Sequence, residues 1–237
     1  MLCFHGAGGC PEMICNIDST ANYNDASRRF VNEGYIVFAP LFSFASYADG
    51  DRTNIPANCR VILDVKAKWI GSSLAALELF KVEKAIDYLQ TREEIDSEKV
   101  CVTGLSYGGF YSLLIAAIDT RIKMCISSCY FNNRIKINEK HPEVFSDWTW
   151  KGSIEKFSDV ELIGLICPRG CIIEVGINDT AFNVNDARKE SVFARDIYKK
   201  LGIAHKFKFI EFLGNHEFNL IETFELLKQN DGYEYLL

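Results

Sequence analysis

The stretch Val100-Cys101-Val102-Thr103-Gly104-Leu105-Ser106-Tyr107-Gly108-Gly109 decides the fold of this chain. Its first four residues form an apolar, β-branched run that predicts a buried strand, and a helical pattern begins directly after the serine. Between them stands Gly-x-Ser-x-Gly, which predicts a sharp strand-to-helix turn with Ser106 at its apex. Gly104 and Gly108 leave room for the neighbouring strand and helix, and the strained turn pushes the serine hydroxyl into the open. The pattern indicates a nucleophilic serine. The alternative is a tight turn that carries a small polar residue.

A nucleophilic serine needs a base, and the chain has four histidines. In hydrolases with this turn the acid and then the base follow the serine along the chain, which sets His5 and His141 aside. His205 ends a predicted helix, where a solvated or helix-terminal role is the simpler interpretation. His216 follows the last predicted strand, Lys206–Phe212, so its ring can reach back over the carboxyl edge of the sheet. We therefore predict His216 as the base.

The acid is expected after the preceding strand, Cys171–Val175. Asp179 lies in the turn that leaves this strand, at the edge where ligand sites of open α/β folds gather. Glu174 is the alternative, but it stands inside the strand, where its carboxylate would point sideways. Asp186 and Asp196 fit the solvated face of the following helix. Asp179 is therefore predicted to orient the imidazole and to stabilise its protonated form.

Two backbone N–H groups are predicted to hold the negative oxygen that forms when a serine attacks a carbonyl. One belongs to Tyr107, the residue after the nucleophile. The other is expected from Ala7 in His5-Gly6-Ala7-Gly8-Gly9, where glycines let the main chain approach the substrate. A phosphate-binding loop is the alternative, but the Gly-Lys-Ser/Thr ending and the Gly-x-Gly-x-x-Gly spacing are both missing. His5 is expected to brace this loop.

Further segments occur along the chain in the order that one enzyme family shows. The chain resembles an α/β-hydrolase, close to the dienelactone-hydrolase and acetylxylan-esterase-like branch of serine esterases. The segments that carry the resemblance, besides the serine turn, are Ala85–Leu89, Glu94–Val100, Asp119–Lys123, Leu165–Arg169 and Gly214–Phe218. The resemblance implies hydrolysis of carboxylic esters through an acyl-enzyme on Ser106, without a cofactor. Short acyl or acetyl esters, including those of carbohydrates, are the expected substrates, and the loops over the site would select among them.

The start of the chain departs from the family pattern. The family sheet normally has one or two strands before the strand that carries His-Gly-x-Gly. Here Met1 stands almost inside that strand. The sheet is therefore expected to lack its usual leading strands.

Two other functions remain open from the sequence. The residues around Ser106 also resemble serine peptidases of the prolyl-oligopeptidase type, which share Gly-x-Ser-Tyr-Gly-Gly but normally carry a large additional domain. The second alternative is a catalytically inactive hydrolase fold that serves as a binding module, which only the missing leading strands favour.

Strand and helix patterns alternate along the chain. They predict an α/β fold, with a mostly parallel sheet and helices on both faces, as a single domain over residues 1–237. Strands are predicted at Met1–Phe4, Tyr35–Ala39, Val100–Thr103, Lys123–Ser127, Cys171–Val175 and Lys206–Phe212. Helices are predicted at Ala21–Asn32, Leu74–Leu89, Gly108–Ala117, Val184–Leu201 and Glu217–Leu227.

Two irregular stretches, residues 41–55 and 130–156, are predicted to shape a substrate pocket. The second carries Trp148 and Trp150, and aromatic side chains on loops near a site often form its walls. A small satellite core beneath the loops is the equal alternative. Tyr107 and Phe182 are further candidates for the pocket wall.

The composition of the chain limits the kinds of molecule that it is expected to bind. A net charge of −6 and a pI of about 5.3 argue against nucleic acid or an anionic membrane, and no apolar run is long enough to span a bilayer. The nine cysteines include no Cys-x-x-Cys pair, which favours a reducing cytoplasm. A zinc site that includes Cys10 and Cys15 is a less favoured alternative, and no metal is expected. The expected partner is a small-molecule ester, and the oligomeric state is left open.

Overall fold

Five parallel strands among the described residues form one sheet at the centre of the fold. A computed structural model describes residues 1–7, 9–15, 22–43, 59–140, 150 and 152–228. The strands lie side by side in sequence order, and each pair of neighbours is parallel. They are β1 (Leu2–Phe4), β2 (Cys101–Leu105), β3 (Met124–Ser128), β4 (Gly170–Gly176) and β5 (Phe207–Phe212). This confirms the predicted α/β-hydrolase type of fold.

Helices cover both faces of the sheet. The helices are α1 (Pro11–Ile14), α2 (Ala26–Asn32), α3 (Cys59–Trp69), α4 (Leu74–Leu89), α5 (Tyr107–Ile118), α6 (Arg134–Lys140), α7 (Ser153–Lys156), α8 (Asp159–Ile166), α9 (Val184–Lys200) and α10 (Ile221–Lys228). Side chains of α4, α5, α8 and α9 join the core on one face, and those of α1, α2 and α10 join the core on the other. No helix among the described residues has the length and apolar character needed to cross a membrane.

The strand sequences match a sheet that is buried on both sides. In β3, Cys125 faces the core under α5, while Met124 and Ile126 face the core under α2 and α10. Every residue of β3 is buried, and its apolar residues Met124, Cys125 and Ile126 are consecutive rather than alternating with polar ones, as expected for a strand covered on both faces. The carboxyl ends of all five strands meet at one edge, and this edge carries the candidate site.

The predicted strand Tyr35–Ala39 is wrong. Only Phe38 pairs with the sheet, in a single parallel bridge to Leu2. The Cys3 N–H donates to the Phe38 carbonyl, and the Phe38 N–H donates to the Met1 carbonyl, both at 2.9 Å. β1 pairs along its whole length with β2 on its other side, and the segment around Phe38 follows it only over this bridge.

Two helices begin later than predicted. Before α2, residues 22–25 form a turn in which Asn24 and Asp25 have positive φ angles of 47° and 58°. Before α10, Leu220 has a φ of 57°, so the helix begins at Ile221 rather than at Glu217. A left-handed residue cannot belong to a right-handed helix, and it fixes the start of the element after it.

Candidate active site

Ser106 lies at the apex of the turn between β2 and α5. Its backbone angles, φ 58° and ψ −118°, are ones that side-chain-bearing residues rarely adopt. A Cβ on Gly104 would lie 2.2 Å from the Gly108 backbone, and a Cβ on Gly108 would lie 2.3 Å from the Phe4 carbonyl oxygen. Both positions therefore require glycine. The Ser106 N–H donates to the Ser128 carbonyl at 2.8 Å, which ties the turn to the end of β3.

Asp179 and His216 are joined by a hydrogen bond of 2.8 Å between Oδ2 and Nδ1. The other oxygen, Oδ1, accepts the N–H groups of Ala181 and Phe182 at 2.7 and 3.1 Å, which fixes the carboxylate. The Asp179 side chain is 2% exposed, whereas that of His216 is 26% exposed. In a neutral imidazole the nitrogen that faces the carboxylate carries the proton, so Nε2 of His216 is an acceptor.

The loop that carries His216 is held from several sides. The Asn22 side-chain amide donates to the His216 carbonyl at 2.8 Å, and the Asn178 N–H donates to the Gly214 carbonyl at 2.9 Å. The Phe182 ring stacks on the imidazole, with ring centroids 5.7 Å apart and planes 21° apart. The orientation of the ring is therefore fixed by packing as well as by Asp179.

Cys129 connects the serine turn with the histidine loop. It follows Ser128 at the end of β3, and its Sγ lies 3.4 Å from the Glu217 carbonyl oxygen and 3.8 Å from that of Asn215. These two residues flank His216, so the chain segments after β2, β3, β4 and β5 converge at one place. The Ser106 hydroxyl itself forms no hydrogen bond to a described residue. Hydrogen bonds of this type often tighten only when substrate is bound.

The thiol of Cys129 and one ligand atom each from Asp179 and His216 lie within 4.8 Å of one another. Burial raises the pKa of the Cys129 thiol well above its ordinary value, and the nearby Asp179 charge raises it further. Cys129 is therefore a neutral hydrogen-bond donor in this arrangement. No comparable cluster includes Cys10 or Cys15 in the parts of the chain that the structure covers.

The glycine-rich loop after β1 lies against the serine turn. A Cβ on Gly6 would lie 3.5 Å from the Ser106 Cβ. The Gly6 N–H donates to the Tyr23 hydroxyl at 2.8 Å, so this N–H is already used inside the protein. Ala7 is half-buried, and its N–H forms no hydrogen bond to any residue that the structure describes. Tyr107 directly follows Ser106 and is the first residue of α5, so its N–H lies at the N-terminal end of that helix.

His5 fixes the start of this loop. Its Nδ1 lies 2.8 Å from the Gly6 carbonyl, and its Nε2 accepts the Phe42 N–H at 3.1 Å. Because Nε2 accepts, Nδ1 carries the proton and donates to Gly6. Burial lowers the pKa of His5 to about 4, although the Gly6 carbonyl partly opposes this shift. The residue is a buried neutral brace, as expected from the sequence.

Glu174, the alternative acid, is fully buried in β4. One carboxylate oxygen accepts from the Ser128 hydroxyl at 2.8 Å, and the other accepts from the Thr223 hydroxyl at 2.6 Å and the Leu220 N–H at 3.1 Å. Burial raises its pKa, and these three donors oppose the shift. The carboxylate thus joins β3 to the start of α10 and forms no hydrogen bond to His216.

The aromatic residues predicted for the pocket wall lie in different places. Phe182 packs on His216, but the Tyr107 ring is fully buried and packs against Tyr111 with centroids 5.0 Å apart. Trp150 lines an apolar cavity of about 940 Å³ between α4, α5 and α8, whose lining includes neither Ser106 nor His216. Trp148 lies outside the described residues, as do residues 44–55 and 141–149 of the two pocket stretches.

Two residues of this site were missed by the sequence analysis. Cys129 follows a predicted strand that ends at the same edge of the sheet as the other candidates. The rule that places Asp179 at this edge, after the end of a strand, therefore also points to Cys129. Tyr23 acts through a turn between two elements, and no sequence pattern points to its contact with Gly6.

Known proteins resemble this chain at the level of family and fold. The model of the family described as the dienelactone hydrolase family matches residues 12–143, more than half of the chain. The Bacillus subtilis (strain 168) protein YtaP, whose hydrolase name is provisional, is 24% identical over 148 residues, which cover 62% of this chain and 50% of YtaP.

Two solved structures share the fold. A candidate acetyl xylan esterase from Bacteroides fragilis NCTC 9343 superposes with a TM-score of 0.71 at 18% identity, covering 89% of this chain and 58% of that one. A family 15 glucuronoyl esterase from Caldicellulosiruptor kristjansonii gives a TM-score of 0.67 at 21% identity, covering 100% of this chain and 68% of that one. This chain thus spans about half of YtaP and less than two thirds of the first esterase.

Proposed function

Because this chain belongs to the dienelactone hydrolase family, we propose that it hydrolyses carboxylic esters through an acyl-enzyme intermediate on Ser106. The observation that carries the proposal is the 2.8 Å hydrogen bond between Asp179 and His216, at the same sheet edge as the strained serine. In serine hydrolases a buried carboxylate orients the imidazole that activates the hydroxyl, and here Asp179, His216 and Ser106 all follow strands at one edge of the sheet.

The proposed reaction has two halves. His216 Nε2 takes the proton of the Ser106 hydroxyl while the Ser106 oxygen attacks the ester carbonyl. The alcohol of the ester then leaves with that proton. In the second half a water molecule gives a proton to Nε2 and its oxygen attacks the acyl group. The acid then leaves the Ser106 oxygen, which takes the proton back from Nε2, so the serine hydroxyl and the neutral imidazole are both restored. Asp179 stays ionised and stabilises the imidazolium that forms in each half.

The backbone N–H groups of Ala7 and Tyr107 are proposed to hold the negative oxygen. Tyr107 follows Ser106 in the chain, and Ala7 follows Gly6, where an added Cβ would lie 3.5 Å from the Ser106 Cβ. His5 and Tyr23 fix Gly6, the residue before Ala7. One such donor typically contributes about 3 kcal/mol to transition-state stabilisation.

Short acyl and acetyl esters, including those of carbohydrates, are the proposed substrates. The similar solved structures are described as an acetyl xylan esterase and a glucuronoyl esterase, names that support an ester, including one of a carbohydrate, as the substrate. Phe182 is the proposed apolar wall beside His216, since its ring covers the imidazole.

Replacing Ser106 with alanine tests the proposal. We expect Ser106→Ala to lower kcat for 4-nitrophenyl acetate by on the order of a millionfold, because the nucleophile is lost. Ser72→Ala, in the turn before α4, is the control and should keep the activity of the parent. Comparable hydrolysis by Ser106→Ala, with the fold verified by circular dichroism, would exclude the assignment.

Two further measurements separate the alternatives. A fluorophosphonate should label Ser106, and well-folded protein that stays unlabelled would instead support an inactive binding module. A panel of short acyl esters and dipeptide amides distinguishes an esterase from a peptidase, and faster turnover of the amides would overturn the ester assignment.

A further inference from the structure

Cys129 has no part in the proposed reaction, yet its thiol lies directly beside the Asp179–His216 pair. The sulfur, a carboxylate oxygen and an imidazole nitrogen lie within 4.8 Å of one another. Cys129 is fully buried, while His216 reaches solvent through the quarter of its side chain that is exposed. Three different metal-ligating groups therefore converge, with one open side.

The chemistry of these three groups selects the kind of ion. Thiolate, imidazole and carboxylate are the usual ligands of Zn²⁺, whereas Mg²⁺ and Ca²⁺ prefer oxygen ligands alone. Bond lengths of about 2.3 Å to sulfur and about 2.1 Å to nitrogen or oxygen place tetrahedral ligands about 3.3–3.6 Å apart. The Asp179–His216 separation of 2.8 Å would widen slightly and the sulfur would move inward. A water molecule on the exposed side would complete the four ligands.

We propose that Cys129, Asp179 and His216 form an inhibitory site for Zn²⁺ or a similar thiophilic divalent cation. The inhibitory consequence rests on the proposed function, but the binding site itself does not. The ion occupies the place of the proton between His216 and Asp179, so the acid and the base of the proposed triad are both engaged by the metal.

Metal binding changes the protonation of Cys129 and His216. The Cys129 thiol loses its proton to solvent, because a bound divalent cation deprotonates a coordinating thiol. The proton on His216 Nδ1 is replaced by the metal and the ring takes up a proton at Nε2, so the imidazole stays neutral in its other tautomer. With Nε2 protonated, His216 has no lone pair with which to accept the Ser106 proton. Metal binding and ester hydrolysis therefore exclude each other.

The binding test uses Ser106→Ala, which keeps the three ligands but lacks the nucleophile. Co²⁺ titrated into this protein should give the near-ultraviolet absorption of a cobalt–thiolate bond at one ion per chain, and Zn²⁺ should displace it. Cys129→Ala in the same background should abolish the band. Cys125→Ala, at an equally buried cysteine within β3, the strand that Cys129 follows, is the matched control and should keep it. A band that survives Cys129→Ala, or that never forms in the folded protein, would overturn the site.

The inhibition test uses the protein with Ser106 intact. Each variant is compared with its own rate in EDTA, and the Zn²⁺ concentration for half-inhibition should rise at least tenfold in Cys129→Ala but not in Cys125→Ala. Mg²⁺ at the same concentrations should not inhibit. Equal zinc sensitivity in both variants would contradict the proposal. A protein without ester hydrolysis would refute the proposed function and leave the cobalt measurement as the test of the site.

Discussion

His5 is fully buried, and both of its ring nitrogens are used by the backbone of Gly6 and Phe42. Its pKa is lowered from 6.5 to about 4 in the folded protein by burial. As pH falls through 6.5, the unfolded chain takes up a proton at His5 that the folded protein does not bind. The contribution of neutral His5 to the free energy of unfolding is therefore expected to be fully present above pH 6.5. The free energy of unfolding should fall by about 3 kcal/mol as pH approaches 4.

Urea unfolding at pH 7 and pH 4.5 measures this contribution. His5→Gln should be less stable than the parent at pH 7, but it should lose less stability between the two pH values, because the titrating group is gone. His205→Gln, outside the glycine-rich loop, should keep the steeper loss of the parent. An identical loss in the parent and in His5→Gln would show that this residue does not carry the pH dependence.

Strand β4 contributes to the site through Glu174 as well as through the turn that follows it. The Glu174 carboxylate receives hydrogen bonds from Ser128 at the end of β3, from Leu220 just before α10 and from Thr223 in its first turn. Ser128 in turn accepts the N–H of Ser106. One buried side chain thus connects the serine turn with the element that follows the histidine loop.

Two variants of Glu174 should separate its hydrogen bonds from its charge. Glu174→Ala leaves three buried donors without an acceptor and should cost several kcal/mol, since each unsatisfied group costs about 1–3 kcal/mol. Glu174→Gln should cost less than about 1.5 kcal/mol, because its oxygen can accept from Leu220 and Thr223 and its amide can donate to Ser128. Chemical denaturation of both variants measures the difference. Equal losses would show that the negative charge, rather than the hydrogen bonding, is what the fold requires.

The elements differ in how well the sequence predicts them. The strand-to-helix turn at Ser106 follows from local pattern, because the glycines and the apolar flanks leave few other conformations. Helix α8 was missed although a signal was present, since Ser158 and Glu161 form a capping box at its start. The strand at Tyr35–Ala39 was overpredicted because its β propensity is local, whereas strand formation depends on pairing with a neighbour, and only Phe38 is bridged to β1.

At the scale of the whole molecule, the parallel sheet makes part of the candidate site predictable. Residues after the carboxyl ends of β4 and β5 must come together, and the contact between Asp179 and His216 follows from that topology. Their catalytic roles stay predictions. The placements of Tyr23 and Trp150 depend on how turns and outer helices pack, which periodicity does not record. The sequence therefore predicts which strands supply the site but not which side chains enclose it.

The position of β5 at the end of the sheet affects whether two molecules can associate by strand pairing. No other described strand lies beyond β5, so one row of its peptide groups has no partner within the sheet. Lys208 and Glu211 place opposite charges on this strand, and Glu211 is bound by Arg188 at 2.6 and 2.7 Å. Charged side chains on an open edge discourage intermolecular strand pairing. Without them, the apolar remainder of β5 would offer a template for aggregation.

A double variant tests whether these two charged side chains prevent association through the edge of β5. Lys208→Val with Glu211→Val should form larger species with time at high concentration, whereas Lys199→Val on α9 should not. Size-exclusion chromatography with light scattering measures the masses, and an unchanged mass in the double variant would refute this role. The strand farthest along the sheet from Ser106 would then be the one that keeps the protein dispersed.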